Sequence, residues 1–128
     1  MIVAGIGFRR SVAADEIVAL VELALDRASL ARDALGRLAT IAALAETPAF
    51  TEAARRLNVT AMPVTESALA AAAPHVHTQS ERSLAAHGVG SVAEAAALAA
   101  AGPDADLILE RIASASATCA LARLETRP

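Results

Sequence analysis

Apolar residues fall along this chain in two alternating rhythms, short runs of strand length and longer stretches at helical spacing. The opening MIVAGIGFRRS reads as an amino-terminal strand that runs into a tight, basic turn at Gly5, Gly7, Arg9 and Arg10. Ser11 then precedes Asp15 and Glu16, and Ile17, Val21, Ala24 and Leu25 recur on one face. That spacing predicts an amphipathic helix from Val12 to Arg27 with acidic groups near its positive end. Ala28 to Leu35 reads as a second short helical piece ended by Gly36, and Leu38 to Ala43 as a second strand. Thr47-Pro48 has the form of a cap with proline at the first helical position. Phe50, Ala53, Ala54 and Leu57 follow on one face, and Asn58 closes the helix.

The second half continues the alternation. Val59 to Val64 is a short strand that Pro63 places at a sheet edge or strand end, and Thr65 can cap a brief helix, Glu66 to Ala73, stopped by Pro74. Thr78 with Glu81, and Ser91 with Glu94, have capping-box spacing for two helices ending at Gly88 and at Gly102-Pro103. Asp106 to Ile112 and Ala117 to Arg123, separated by the small-residue turn Ala113 to Ser116, suit a terminal hairpin. The pattern predicts an α/β fold: three layers, α/β/α, around a mixed, roughly five-stranded sheet. With 128 residues and no linker-like stretch, one domain over 1–128 is expected.

Composition narrows the function classes. The hydrophobic fraction is 55% but aromatics are only 2%, so the core is built from Leu, Ile, Val and Ala with two phenylalanines. A net charge of -3 and the scarcity of aromatic stacking platforms argue against nucleic-acid binding. No uninterrupted apolar run approaches the ~18 residues of a spanning helix, so no membrane partner is expected. A single cysteine and the lack of a signal-peptide pattern after Met1 lead to the expectation of a cytoplasmic protein. Every basic residue is arginine; without lysine there is neither Schiff-base catalysis nor a P-loop.

The candidate chemistry lies mainly at glycine turns. Gly5 and Gly7 can bring main-chain N–H groups to an oxyanion with Arg9 and Arg10 supplying charge, or they can simply allow close packing of a helix on the strand. Arg10 occupies the third-glycine position of a GxGxxG fingerprint, so no nicotinamide or flavin cofactor is expected. The loop Gly88-Val89-Gly90-Ser91 leading to Glu94 can hold an anionic group, or Ser91 and Glu94 can satisfy only each other's helix end. Arg111 and Thr118 sit near the hairpin, where the arginine suits bidentate carboxylate recognition. His75 and His77 lie two apart without a second ligand cluster, and His87 lies near a helix carboxyl end, so no metal site is expected. Cys119, among strand-forming residues, reads as a buried inert thiol.

The chain resembles the family of CobE and the carboxy-terminal domain of CbiG, proteins of cobalamin (vitamin B12) biosynthesis. The residues that carry the resemblance are VAGIGFRRS at 3–11, LATIAALAETPAFTEAARRL at 38–57, GVGSVAEAAALAAAG at 88–102 and ATCALAR at 117–123. Their order and spacing span nearly the whole chain. The chain departs from the family pattern at Phe8, where GxGCRxG would place a cysteine, with Ser11 near the expected small residue. It departs again where a KxxE pair aligns with Leu44 and Thr47 beside Glu46, and where Arg111 replaces a lysine.

The resemblance implies an α/β/α domain acting in corrin-ring synthesis that binds a precorrin or corrinoid such as hydrogenobyrinic acid. It would act as carrier or as assistant to a ring-modifying step, with other cobalamin-biosynthesis enzymes as further partners. Such a ligand, an apolar macrocycle ringed by carboxylates, calls for arginines, main-chain donors and aliphatic surface. The expected ligand-binding residues are Gly5, Gly7, Arg9, Arg10, Ser11, Gly88, Gly90, Ser91, Glu94, Arg111 and Thr118. Two alternatives stand beside this. One is a hydrolase acting, as CbiG does, on the cobalt-precorrin 5A lactone, with Glu46, Glu94 or a histidine as base, although no catalytic constellation is visible. The other is an interaction module that presents an alanine-rich helix face.

Overall fold

Five strands make one mixed sheet in the computed structural model, which describes residues 1–123. They are β1 (Ile2–Phe8), β2 (Leu35–Ile41), β3 (Thr60–Val64), β4 (Asp106–Ala113) and β5 (Ala117–Arg123). Their order across the sheet is β3-β2-β1-β5-β4. β1, β2 and β3 run parallel, and the β4–β5 hairpin is antiparallel to β1 through β5. Helices α1 (Ala14–Arg27) and α2 (Pro48–Leu57) cover one face; α3 (Glu66–Ala72) and α5 (Val92–Ala101) cover the other. A short α4 (Glu81–His87) stands between them in sequence. The α/β/α architecture and the terminal hairpin are those that the alternation predicts. The last five residues of the expected domain lie outside the described part.

Period-two alternation decides which core each strand residue enters. Ile2, Ala4 and Ile6 of β1 join the α1–α2 core with Leu38, Phe50, Cys119 and Leu121, whereas Val3 joins Ala39, Val64, Leu69 and Ala122 beneath α3 and α5. Phe50 stacks on Phe8 with ring centroids 5.9 Å apart, so both phenylalanines serve one core. The alanine excess has its explanation in α5, where nine of the ten residues are buried. A helix with so little side chain can lie close to the sheet, and Gly5 lets it do so. A Cβ on Gly5 would stand 2.0 Å from the Ala93 carbonyl oxygen and 2.5 Å from the Ala97 nitrogen.

Several boundaries differ from the sequence expectation for physical reasons. Only Arg32–Ala34 of the expected second helical piece is helical, as a single 3-10 turn, and β2 starts at Leu35, because pairing with Ile2 and Val3 draws Leu35 to Arg37 into the sheet. Gly36 is therefore a strand residue and no helix stop. β2 ends at Ile41, since Ala42–Leu44 turns away as another 3-10 turn. Helix α1 begins at Ala14 without a side-chain cap, so Ser11 does not cap it. Thr47 precedes α2 as expected but makes no capping bond, while Asn58 closes it in the left-handed conformation, φ 58°. Thr65 does cap α3, accepting from the Ala68 N–H. β3 is an edge strand, as Pro63 requires.

Candidate functional site

The carboxyl end of β1 opens into a cleft of about 250 Å³. In open α/β sheets, ligands lodge beyond the carboxyl ends of the strands where the connections diverge, and β1 is that place here. From β1 the chain moves outward to β2 and β3 under α1 and α2, then crosses the opposite face and returns through the hairpin on β1's other side. The lining comes from five parts of the chain: Gly7, Phe8 and Arg9 after β1, Leu44 after β2, Ser80, Arg82, Ser83 and His87 around α4, Val92 of α5, and Arg111 with Ser114 to Thr118 of the hairpin. Three arginines, four serines and Thr118 therefore share the lining with Phe8, Leu44 and Val92, and no described carboxylate lines the cleft.

Each wall has an identifiable hold. The Arg9 N–H donates to the Ser116 carbonyl at 2.9 Å, which ties the loop after β1 to the hairpin. Glu16, in the first turn of α1, accepts from the Ser116 N–H at 2.6 Å and from the Ser114 hydroxyl. Those two bonds hold its pKa below the usual carboxylate value, that from Ser114 more strongly. The Thr118 hydroxyl donates to the Gly7 carbonyl at 3.3 Å and occupies the space a Cβ on Gly7 would take, 2.7 Å away. Gly7 thus admits Thr118 to the rim. None of Arg9, Arg82 and Arg111 is ion-paired with a described residue, which leaves their charge to the cleft.

Of the residues singled out from sequence, the structure brings Gly7, Arg9, Arg111 and Thr118 together in this lining. Arg10 and Ser11 are exposed beside it, and Gly5 lies under α5. Gly88 is exposed and ends α4 in the left-handed conformation, φ 73°. Gly90 is buried against Thr78 and Gln79, its carbonyl accepting from the Ser80 N–H. Ser91 is buried and caps α5 through the Glu94 N–H at 3.2 Å.

Glu94 corrects the capping-box expectation. Its carboxylate does not return to Ser91; it accepts from the His77 N–H (2.6 Å), the Thr78 N–H (2.9 Å), the Thr78 hydroxyl (2.6 Å) and the Arg111 N–H (2.9 Å). Burial pushes its pKa upward, but these bonds together outweigh burial and hold it below 4.5. Thr78, expected to cap the next helix, is spent on Glu94, and Ser80 caps α4 instead, accepting from the Ser83 N–H. Glu94 also fixes the backbone of Arg111, which leaves the guanidinium free to face the cleft.

Other candidates are placed elsewhere. Cys119 is sealed in the α1–α2 core, where burial raises its pKa to about 12. Glu46 is exposed outside the lining. His75 and His77 border a second, larger cleft of about 520 Å³ with Ala68, Ala71, Leu98, Ala99, Pro103, Asp106 and Leu107. That groove is mainly alanine and leucine and contains no arginine. Among the described residues, no group of three or more His, Cys, Asp or Glu is placed to hold a metal ion, and no single helix is long and apolar enough to cross a membrane. Sequence reasoning did not place Phe8, Leu44, Ser80, Arg82, Ser83, His87, Val92, Ser114 and Ser116 among the ligand-binding residues. The readable signal was SERSLAAH at 80–87, a helix without the apolar stripe that would seat it on a core. The departures at Phe8, Leu44 and Arg111 all meet in the first cleft.

Comparison with known proteins bears on the same chain. The family model described as cobalamin synthesis G C-terminus matches residues 2–122. Protein CobE of Sinorhizobium sp is 41% identical over 121 residues, covering 94% of this chain and 79% of that protein. Among solved structures, CobE from the cobalamin biosynthetic pathway superposes with a TM-score of 0.92 at 33% identity, covering 100% of this chain and 93% of that one. Cobalamin biosynthesis protein chiG from Agrobacterium tumefaciens gives a TM-score of 0.78 at 34% identity over 98% and 100% of the two chains. A cobalamin biosynthesis protein G homolog from Sulfolobus solfataricus gives 0.76 at 31% identity over 97% of this chain and 37% of that one.

Proposed function

The chain belongs to the family of the cobalamin synthesis G C-terminus and has its role in cobalamin biosynthesis, and from that premise we propose that it binds a precorrin or corrinoid intermediate in the cleft at the end of β1. The observation that carries the reading is the gathering of Arg9, Arg82 and Arg111, free of ion pairs with described residues, beside Phe8, Leu44 and Val92 with no described carboxylate in the lining. Guanidinium groups and hydroxyls suit the carboxylates that ring a corrinoid, and the apolar side chains suit its macrocycle. The protein then acts as carrier or assistant to a ring-modifying step, handing the intermediate to other enzymes of the pathway. The larger cleft is lined mainly by alanine and leucine with no arginine among its described residues and suits such a ligand less well.

A hydrolase acting on the cobalt-precorrin 5A lactone finds less support. Cys119 is inaccessible, Glu94 is saturated by four donors, and Glu46 lies outside the lining, so no described carboxylate or thiol serves the cleft as base or nucleophile, and His87, the one histidine in the lining, has no described partner that would orient it as a base. The interaction module also loses its best candidate surface, because the alanine-rich α5 is core. Titration of the purified protein with hydrogenobyrinic acid, followed by visible absorption, tests the proposal. A saturable spectral shift at tens of micromolar or below is expected; no shift and no retention of the ligand contradict binding.

A further inference from the structure

Helix α4 is out of keeping with the other helices. Alone among the five described α-helices it buries no side chain, and it has no extensive contact with any other element. A helix held by its own protein turns an apolar stripe inward. On α4 the residues toward the cleft are Ser83, His87 and Arg82, with Ser80 at the cap, while the large apolar Leu84 is 43% exposed. The Ser83 hydroxyl oxygen is shut off from solvent and has no hydrogen-bond partner among the described residues, a costly state for a polar atom beside a cleft.

The fastenings of α4 are at its two ends. Glu94 grips the backbone at His77 and Thr78 before it, the Ser80 N–H bonds to the Gly90 carbonyl at 2.9 Å across its neck, and Gly88 ends it with open space where a Cβ would stand. A segment so held opens at little cost in free energy. With α4 in place the cleft is about 250 Å³, below the ~300–1,000 Å³ of sites that enclose drug-sized ligands, and a corrinoid is larger than these.

We propose that α4 is the closing wall of this site, swinging out to admit the macrocycle and returning so that Arg82 and Ser83 contact its carboxylates; this rests on the binding reading above. The polar face of α4 then finds in the ligand the partner the fold does not supply. The bound anion satisfies the orphan Ser83 hydroxyl.

Hydrogen exchange of the full chain, with and without saturating hydrogenobyrinic acid and with binding monitored by absorption in the same samples, tests it. Amides in residues 79–90 are expected to slow about tenfold or more on binding. Arg82→Ala and the uncharged change Ser83→Ala are each expected to weaken affinity about fivefold. Neither should lower the melting temperature of the free protein, since neither side chain has a partner among the described residues. Binding with unchanged exchange in 79–90, or with unchanged affinity in both variants, overturns the role of α4 while leaving the binding site standing. Absence of binding overturns both.

Discussion

Glu94 is the one charged side chain fully shielded from solvent among the described residues, and it keeps its charge because four donors from two other segments reach it. It joins the loop before α4, the first turn of α5 and the edge strand β4 at a single carboxylate. Replacement by glutamine keeps the shape but turns one acceptor into a donor facing other donors, a change that costs about 2–4 kcal/mol of stability at neutral pH. The folded pKa lies below the ordinary 4.5, so the stabilisation is present above that value and is lost as pH falls through the folded one. In urea unfolding at a series of pH values, the gap between wild type and Glu94→Gln should be constant near neutrality and shrink below pH 4.5. A gap that does not shrink on acidification contradicts the assignment of charge to Glu94.

Between β1 and α5 the contact is backbone against backbone, and its tolerance for change is correspondingly small. Gly5→Ala would drive a methyl group to 2.0 Å from Ala93 O and 2.5 Å from Ala97 N, atoms that cannot move without shifting the helix. The expected loss is about 3 kcal/mol or more. At Gly36→Ala the nearest atoms belong to the side chain of Met1, itself 50% exposed and able to move aside, and the change should cost under about 1 kcal/mol. Thermal unfolding of both variants checks the contrast; equal losses would show that α5 does not lie on Gly5. The readable elements were those whose signals are local: Asn58 and Gly88 as left-handed stops, Pro63 as an edge marker, Ser91 as a cap, and the paired runs of the hairpin. Where tertiary pairing decides, local pattern misleads: Leu35 to Arg37 have no strand signature until β1 lies beside them. The same holds for the site. Arg9, Arg111 and Thr118 carry a chemical signal in sequence, whereas Arg82, Ser83 and Leu44 become neighbours of these only through the crossover from β3 to β4 and the end of β2.

The molecule as a whole is acidic, with a formal charge of -3, yet the mouth of its central strand collects three arginines that pair with no described residue. A local basic site on an acidic protein draws anionic ligands to one place and repels them elsewhere, so binding should weaken as salt rises. Arg27 and Arg55 supply a control of equal charge. They lie in the last turns of α1 and α2, the ends of those helices remote from the cleft, and Arg55 is engaged with Glu52 at 2.5 Å. The most direct measurement compares the affinity of hydrogenobyrinic acid for wild type, Arg9→Ala/Arg111→Ala and Arg27→Ala/Arg55→Ala at one ionic strength. Arg9 is exposed and Arg111 half-buried, so together their contacts should contribute about 1.4 kcal/mol or more, a loss of at least about tenfold. The remote pair should stay within about twofold of wild type. Equal losses in the two double variants, or no loss in the first, would contradict a carboxylate-binding cleft at the end of β1.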